Sequence, residues 1–395
     1  MAILRKVAPL GVERKRAADA LGHALAEEIL ADRDLPPADR SAMDGYALQS
    51  LDLSHPPCEL KLVGEVAAGS PNRPKVNTGS CVRIMTGGNI PPGADAVVMV
   101  ERATENGDKV QFRSPAVKGE NIIRQAEDAH FGEVLLDIGV RLGPLQLGVC
   151  AAVGFVNVRV YRRPQIAIIC TGEELRNTEA TVEAHELRNS NGPALCGALA
   201  TLGFPMVEHL VVRDSIEELV AELTRVAAFS DVVLLTGGVS KGKYDFVRKA
   251  IEILGAPVLF HGVTMKPGKP LLCATLSGNK FIFGLPGTPL SAMTGFYEFV
   301  LPTLRRLSGI QPAEVRPSLY LSTILPIKTK GGRTHFILAR LEYRKTGLCV
   351  EPITSRSSSD FVAGGRSDGV IVVPPEIREI EAGTIVEFRS WKPHL

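Results

Sequence analysis

The sequence lacks the features that mark membrane, secreted and nucleic-acid-binding proteins. No uninterrupted apolar run approaches the ~20 residues that a membrane helix requires. The first residues, 1–6, lead into a basic, alanine-rich stretch rather than the apolar core and small-residue cleavage site of a secretory signal. The 45 basic and 43 acidic residues give a formal charge of +2, so global charge indicates neither nucleic acid nor an anionic membrane as a partner. We therefore expect a cytoplasmic protein.

Cysteine is sparse and shows no metal-binding or redox spacing. None of the seven cysteines forms a C-x-x-C pair, and Cys170 and Cys273 directly follow apolar residues of predicted strands. Such cysteines are typical of small buried hydrophobic residues in a reduced compartment rather than of metal ligands or disulfides. The chain also shows no internal repeat and no low-complexity tract. These absences leave an ordinary globular protein of several domains.

The 395 residues suffice for two to four domains at ~100 to 200 residues each. Residues 12–31 alternate alanine and leucine with charge at helical spacing, which predicts a helix that Pro36 and Pro37 would end. From residue 48 to about residue 131, short valine-rich runs are broken by glycine and proline. That pattern predicts a small β-rich unit.

From Gln165 onward the pattern changes to alternating strands and helices. It predicts strands over 166–170, 206–212, 232–235, 271–275 and 281–283, and helices over 191–202, 216–229, 244–254 and 289–307. Because these strands are continuously apolar, they indicate a mostly parallel sheet covered on both faces, a doubly wound α/β domain. Beyond Gly309 the helices cease, and short strands over 319–327, 334–343, 349–353 and 369–373 predict a small barrel or sandwich.

Three tight turns follow apolar segments of the predicted α/β domain. They contain Gly237, Gly238 and Ser240, then Lys266, Gly268 and Lys269, and finally Pro286, Gly287 and Pro289. Turns of this kind let backbone N–H groups approach an anion, and ligands of open α/β sheets bind at the carboxyl ends of strands. A single such turn is more often an ordinary connection. Three in one segment, with two lysines, favour a ligand that carries phosphate.

Carboxylates follow the strand ends of the same predicted domain. Glu174, Asp214 and Asp245 all lie just past a strand or its turn. Acids beside a phosphate site would repel the ligand unless a divalent cation lay between them, and Mg²⁺ is bound by one or two carboxylates plus phosphate oxygens. The alternative for Asp214 is that it caps the helix that begins near Ile216. The residues thus predict a magnesium site with Asp245 and Glu174 as the better candidates.

Seven ordered blocks carry a resemblance to a known family. They are Leu35-Pro36-Pro37 through Ser41-Ala42-Met43-Asp44-Gly45-Tyr46-Ala47, Arg83-Ile84-Met85-Thr86-Gly87-Gly88 through Val98, Gly119-Glu120-Asn121-Ile122 through Asp128, Thr171-Gly172-Glu173-Glu174-Leu175, Gly237-Gly238-Val239-Ser240 with Tyr244-Asp245, Met265 through Pro270, and Leu285-Pro286-Gly287 with Pro289-Leu290-Ser291-Ala292. Together they resemble the molybdopterin molybdenumtransferases, the MoeA and gephyrin E-domain family, over nearly the whole chain.

The resemblance implies an elongated homodimer whose subunits have four domains. A discontinuous N-terminal dimerisation domain would comprise residues 1–47 and 132–164, with a β-rich insert over 48–131. A doubly wound domain similar to MogA and MoaB would span 165–310, and a small β-barrel 311–395. The implied activity is Mg²⁺-dependent insertion of molybdate into adenylylated molybdopterin with release of AMP. A molybdopterin adenylyltransferase and molybdoenzyme acceptors are the implied partners.

The resemblance also assigns roles to individual residues. The implied catalytic residues are Asp44, Thr86, Asp128, Glu174, Asp214 and Asp245, of which Glu174, Asp214 and Asp245 would hold Mg²⁺. The residues of the three turns would bind phosphate and molybdate, joined by Arg333 and Ser358 from the last domain, where Arg340 is a further candidate. In the family the site includes partner-subunit parts, so Asp44 and Thr86 would complete the site of a neighbouring subunit.

Two other functions remain open. The α/β domain could act alone as a molybdopterin adenylyltransferase or nucleotide pyrophosphatase, although the other domains would then be idle. A non-catalytic scaffold that binds molybdopterin is the second alternative. It rests on Lys241 and Lys243, which stand where the family tends to have an aliphatic residue and an acid.

Overall fold

The computed structural model describes residues 3–239, 246–345 and 347–392, and the chain divides into two compact units. The first unit comprises Met1–Ala26, Ile138–Gly143 and Val158–Leu395, and the second comprises Glu27–Asp137 and Pro144–Asn157. The finer division into four domains stays a prediction. Within the described ranges, no helix is both long and apolar enough to cross a membrane.

The helix predicted over residues 12–31 is wrong. Val12–Arg16 is a strand that pairs with Asn157–Tyr161, a 3₁₀ turn follows at Ala17–Asp19, and Ile29–Leu30 is another short strand. The five residues of the first strand alternate between exposed and half-buried. Gly22, which has a positive φ of +73°, interrupts regular structure between the two strands. Pairing with a distant strand therefore overrides the local helical preference of this alanine-rich segment.

The second unit contains a six-stranded mixed sheet, in agreement with the predicted β-rich unit. Its strands are β1 (Gly45–Leu48), β2 (Cys58–Val66), β3 (Ser80–Ile84), β4 (Ala96–Met99), β5 (Ala103–Asn106) and β6 (Lys109–Phe112). The spatial order is β4-β1-β3-β2-β6-β5, with β2 and β3 parallel and the other pairs antiparallel. A helix, α1 (Pro144–Ala152), belongs to the same unit.

Close packing explains the glycine at the start of β1. A Cβ on Gly45 would lie 2.1 Å from the carbonyl oxygen of Val98 on the neighbouring strand β4. Only glycine allows this approach of the two backbones. The acid that precedes it, Asp44, is thereby fixed at the end of a fully buried strand.

The doubly wound α/β domain is confirmed. Its elements are β7 (Ile166–Thr171), α2 (Asn191–Thr201), β8 (Met206–Val212), α3 (Ile216–Phe229), β9 (Val232–Thr236), α4 (Phe246–Ile253), β10 (Val258–His261), β11 (Met265–Lys266), β12 (Leu272–Leu276) and β13 (Lys280–Leu285). The sheet order is β8-β7-β9-β13-β12-β10, and its first four strands are parallel. The antiparallel strand β12 separates β13 from β10, an arrangement that the pattern did not predict.

Both faces of this sheet are buried, because successive residues of β7 enter different cores. Ile166 and Ile168 pack with Leu195 of α2 on one face. Ala167 and Ile169 pack with α3 and α4 on the other. The continuous apolar character of the strands follows directly from this double cover.

The long helix predicted over residues 289–307 is present but widened in the middle. It consists of α5 (Pro289–Gly295), a π-helical turn at Phe296–Val300, and α6 (Leu301–Leu307). Pro302 has no N–H to donate and its ring would clash with the carbonyl of Glu298 in a regular helix. The π turn just before Pro302 relieves that conflict.

The last part of the chain forms the predicted small β-barrel. After a short helix, α7 (Pro312–Val315), come β14 (Leu319–Thr323), β15 (Thr334–Arg344), β16 (Gly347–Pro352), α8 (Phe361–Gly365), β17 (Gly369–Val373) and β18 (Ile385–Ser390). The order β15-β16-β14-β18-β17 closes through pairing of β17 with β15. Strand β11 of the α/β region adds to this barrel in parallel with β15.

Candidate functional site

The three turns predicted to bind an anion lie on one edge of the α/β sheet. Strands β9 and β13 end at Thr236 and Leu285, directly before two of the turns. Strand β10 is antiparallel to β12, which is antiparallel to β13, so β10 points the same way as the parallel strands. Its following loop carries the third turn to the same edge. All three border one cavity of about 1800 Å³.

Glycine is required where the backbone borders this cavity. A Cβ on Gly237 would lie 2.1 Å from the carbonyl oxygen of Thr171, and its φ is +100°. Gly268 has a φ of +102°, and a Cβ there would meet the Met265 side chain at 2.7 Å. These conformations are open only to glycine at little cost. They leave the backbone of both turns uncovered by side chains on the cavity wall.

Most of the site residues that were predicted in the first unit line this cavity. Its walls include Glu174, Asp214, Gly237, Gly238, Lys266, Gly268, Lys269, Pro286, Gly287, Pro289, Arg333 and Ser358. Ser240 and Asp245, with Lys241 and Lys243, lie outside the described residues. Arg340 is not part of the wall but pairs with Glu351 at 2.7 Å. Of the two arginine candidates, Arg333 is therefore the one placed to contact a ligand.

The barrel supplies the second side of the cavity through Arg333 and a serine-rich loop. Asp360 holds this loop, because its carboxylate accepts hydrogen bonds from the N–H of Arg356 at 3.0 Å and of Ala363 at 3.2 Å. The same two bonds lower the pKa of Asp360. The N–H of Leu290, in α5, donates to the carbonyl oxygen of Ser358 at 3.0 Å. The loop is thus tied to the α/β domain at the cavity itself.

Asp214 is held at the cavity rather than used as a helix cap. The hydroxyl of Ser215 accepts the N–H of Glu218 at 3.3 Å and so caps α3. Asp214 instead accepts a hydrogen bond from the hydroxyl of Thr171, the last residue of β7. The capping alternative is therefore excluded for Asp214. Its carboxylate is oriented by the neighbouring strand end.

Sequence reasoning missed two asparagines that organise the site. The side-chain amide of Asn191 donates to Thr236 Oγ1 and to the carbonyl oxygen of Gly287, both at 2.7 Å. Asn189 Oδ1 accepts the N–H of Gly192 at 3.0 Å at the start of α2. Asn191 thus connects two of the three turns. The Asn-Ser-Asn triplet at the start of the predicted helix was the available signal, since such residues favour helix N-termini.

Positive charge dominates the cavity wall. Among the residues that the structure describes, seven lysine and arginine side chains line it, namely Arg188, Lys266, Lys269, Lys328, Lys330, Arg333 and Arg356, against three carboxylates, Glu174, Glu186 and Asp214. Lys328 is paired with Glu379 at 3.0 Å. An excess of cations in a concave site attracts anions. The wall therefore fits an anionic small molecule.

His335 is a buried histidine among these cations. It is 5% exposed and lies opposite Lys266 where β11 pairs with β15. Burial, followed by the charges of Lys266 and Arg333, lowers the pKa of its imidazole. Within the described ranges its Nε2 has no hydrogen-bond partner. No local pattern marks this histidine, because its surroundings arise from the pairing of strands that are distant in sequence.

Asp44, Thr86 and Asp128 belong to the other unit. Thr86 donates its peptide N–H and its hydroxyl to the same oxygen of Asp44, each at 2.7 Å, and these bonds lower the pKa of the Asp44 carboxyl. Asp44 and Thr86 are 42 positions apart in the sequence, and the resemblance assigned both to one site. The structure places them in direct hydrogen-bond contact. Asp128 lies in an exposed loop held by a bond from its N–H to the carbonyl oxygen of Leu35 at 2.9 Å.

No protein-only metal cage is found in the described part of the chain, where no three His, Cys, Asp or Glu residues are grouped to hold a metal ion. Glu174 and Asp214 nevertheless line the same cavity as the three turns that are predicted to bind phosphate. Two carboxylates next to an anion site are the donor set that Mg²⁺ uses together with phosphate oxygens. The described residues fit a metal bound jointly with a ligand.

The fold and the cavity together define a protein whose candidate site, at the carboxyl edge of a doubly wound sheet and between that sheet and a β-barrel, suits an anionic small molecule. The chain matches three family models: "MoeA N-terminal region (domain I and II)" over residues 1–154, "Probable molybdopterin binding domain" over 167–306, and "MoeA C-terminal region (domain IV)" over 324–391.

Whole-chain relatives agree with these matches. A protein named molybdopterin molybdenumtransferase from Staphylococcus aureus (strain COL) is 34% identical over 373 residues, which cover 93% of this chain and 88% of that protein. One of the same name from Staphylococcus epidermidis is 33% identical over 374 residues, with the same coverage. The crystal structure of a molybdopterin biosynthesis MoeA protein from Pyrococcus horikoshii OT3 has a TM-score of 0.83 and 29% identity, covering 98% of this chain and 97% of that one. The chain belongs to the MoeA family of molybdopterin molybdenumtransferases.

The buried imidazole predicts a loss of stability in acid. Because the folded state lowers the pKa of His335 below the ordinary value of about 6.5, the unfolded chain binds more protons as pH falls through that value, and the free energy of unfolding decreases. His335→Gln should reduce this slope, measured by urea unfolding between pH 5 and 8. His23 and His209, whose pKa values are also lowered by burial, account for a residual slope.

The matched control is His185→Gln, at an exposed histidine. It should leave the pH dependence of unfolding as it is in the unchanged protein. An equal slope in His335→Gln and the unchanged protein would show that His335 takes up its proton as readily in the folded chain as in the unfolded one.

Proposed function

We propose that this protein transfers molybdenum to molybdopterin: it inserts molybdate into adenylylated molybdopterin and releases AMP. The observation that carries the proposal is the cavity, in which phosphate-type turns of the α/β domain face cationic and hydroxyl groups of the barrel. Membership of the MoeA family supports the substrate class. The protein thus acts in molybdenum cofactor biosynthesis.

The α/β wall would hold the phosphate groups of the nucleotide-linked substrate. The turns at Gly237 and Gly287 line the cavity, and anions bind readily at glycine turns of this kind. Lys266 and Lys269 add charge that stabilises the phosphate and, as it leaves, AMP. The side-chain amide of Asn191 holds the two turns next to each other through its two hydrogen bonds.

The barrel wall would hold molybdate. Molybdate is a tetrahedral dianion, and Arg333 and the Ser358 loop offer a planar cation and hydroxyl donors on the side of the cavity away from the sheet. A dianion between Arg333 and the two lysines would be contacted from both walls. Holding both reactants in one cavity replaces a bimolecular encounter by a pre-oriented one.

Mg²⁺ is part of the proposal. Glu174 and Asp214 would hold it, with Asp245 as the third ligand that the resemblance implies. When bound, the ion supplies positive charge to the pyrophosphate oxygens whose bond is cleaved. The hydroxyl of Thr171 orients the Asp214 carboxylate, and the glycine at position 237 lets the adjoining turn pack directly against the Thr171 carbonyl.

An α/β domain acting alone, as an adenylyltransferase or pyrophosphatase, is disfavoured because barrel residues form one wall of the cavity. The scaffold alternative rests on Lys241 and Lys243, outside the described residues. The protein would take its substrate from a molybdopterin adenylyltransferase and pass its product to molybdoenzymes.

One assay separates these functions. Purified protein is incubated with adenylylated molybdopterin and Mg²⁺, with and without molybdate, and AMP release is measured. We expect release that requires molybdate. Release without molybdate would instead establish a pyrophosphatase, and tight binding of the substrate without turnover would establish a scaffold.

The magnesium ligands are tested by a pair of adjacent glutamates. Glu174 lines the cavity whereas Glu173 does not. In the same assay Glu174→Gln should lower the rate by about 100-fold or more at limiting Mg²⁺ and raise the Mg²⁺ concentration needed for half-maximal rate, because a ligand charge is lost. Glu173→Gln serves as the control and should behave as the unchanged protein. Equal Mg²⁺ dependence of the two variants would remove Glu174 from the metal site.

We further propose that the protein is a homodimer in which Asp44 and Thr86 complete the site of the neighbouring subunit. Asp44→Ala and Lys269→Ala should each be inactive alone. Mixed and allowed to exchange subunits, they should recover about a quarter of the activity, because half of the dimers are mixed and each has one intact site. The measurement is AMP release before and after exchange. A mixture that stays inactive, although mass spectrometry shows mixed dimers, would place both residues in one subunit's site.

A further inference from the structure

A buried carboxylate outside the cavity joins the α/β domain to the barrel. Glu298 lies in the π turn at Phe296–Val300 and is 1% exposed. Its Oε2 accepts hydrogen bonds from Arg316, in the linker after α7, and from Arg389, in strand β18. One carboxylate of the long helix thus binds two separate segments of the C-terminal part of the chain.

Neighbouring contacts extend this attachment. Arg389 also donates to Glu387 through Nε at 2.9 Å and through Nη2 at 2.6 Å. Tyr297, the residue before Glu298, stacks on Trp391 with ring centroids 5.1 Å apart and planes 6° apart. Its hydroxyl donates to the carbonyl oxygen of Trp391 at 3.0 Å. Two consecutive helix residues therefore hold the end of the last barrel strand.

The same helix reaches the cavity at its other end. Its first residues, Pro289 and Leu290, line the cavity, and Leu290 binds the Ser358 loop. Glu298 lies nine residues further on, roughly 14 Å along the helix axis. A change in how the barrel is seated at Glu298 would therefore alter how Arg333 and Ser358 stand opposite Lys266 and Lys269.

We propose that Glu298 is a positioning residue, which seats the barrel on the α/β domain through Arg316 and Arg389 and so sets the spacing between the two cationic walls that hold an oxyanion. The identity of the oxyanion rests on the proposed function. Paired buried charges are strongly interdependent, since removing one partner leaves the other uncompensated. The pairing of β11 with β15 also connects the α/β domain to the barrel. The experiment must therefore show that Glu298 contributes to the position of the barrel beyond what this pairing provides.

The test is Glu298→Gln, which keeps the shape of the side chain and removes its charge. Binding of molybdate, which needs both walls, should weaken by about tenfold, whereas binding of AMP, which needs only the α/β wall, should change by less than about twofold. Both affinities are measured by calorimetry. Trp391 is the single tryptophan of the chain, so its fluorescence reports on the seating directly. Acrylamide should quench it more strongly in the variant.

Two further variants make the result decisive. Glu314→Gln, at an exposed glutamate of α7, is the matched control and should leave both affinities and the quenching unchanged. Arg389→Lys keeps the positive charge but loses the planar guanidinium, which donates to Glu298 and Glu387 at the same time. It should weaken molybdate binding to a smaller degree, and it replaces Glu298→Gln if that variant does not fold.

Unchanged molybdate affinity and quenching in Glu298→Gln would overturn the proposal. So would an equal loss of molybdate and AMP affinity, which would indicate general loosening rather than positioning. If the unchanged protein binds no molybdate, the proposed function fails, and the quenching of Trp391 in Glu298→Gln and Glu314→Gln alone decides whether Glu298 seats the barrel.

Discussion

The close approach of backbone segments at the carboxyl edge of the α/β sheet is the constraint on which the site depends. At Gly237 a single added carbon would collide with the carbonyl oxygen of Thr171. Because the strand ends converge so tightly, turns from three strands and the Asp214 carboxylate meet around one space. Asn191 then joins two of these turns with one amide group. The chemistry of the wall follows from backbone geometry first and from lysine charge second.

The barrel changes what this edge can bind. A doubly wound domain alone offers one wall of turns and lysines, whereas the barrel adds Arg333, the Ser358 loop and the buried His335. The contacts that hold the α/β domain and the barrel together include backbone pairing of β11 with β15, the bond from Leu290 to Ser358, and the Glu298 ion pairs. A shared apolar cluster, which includes Met265 and Phe336, supports the same junction. The cavity is therefore a property of the assembled unit.

Local pattern predicted the regular elements well where burial and secondary structure agree. Continuous apolar strands and the helix over 216–229 were found as predicted, because both faces of the sheet are covered. The pattern failed over residues 12–31, where pairing of Val12–Arg16 with a strand over 140 residues away decides the conformation. It predicted a strand at β12 but missed its antiparallel direction, since the direction of a short apolar strand leaves no mark on its composition.

The sequence by itself determined the family, the alternation of strands and helices in the α/β domain, and the chemical types gathered for the site: turns, lysines and carboxylates. These are local properties, encoded by neighbouring residues and their order. Only the tertiary structure decided that Ser215 rather than Asp214 caps α3, and that Arg333 rather than Arg340 lines the cavity. It alone also showed that Asn191 connects two turns of the site and that His335 and Glu298 are buried. Their environments are made by segments distant in sequence, so hydrogen-bond partners, burial and charge neighbours exist only once those segments have packed together.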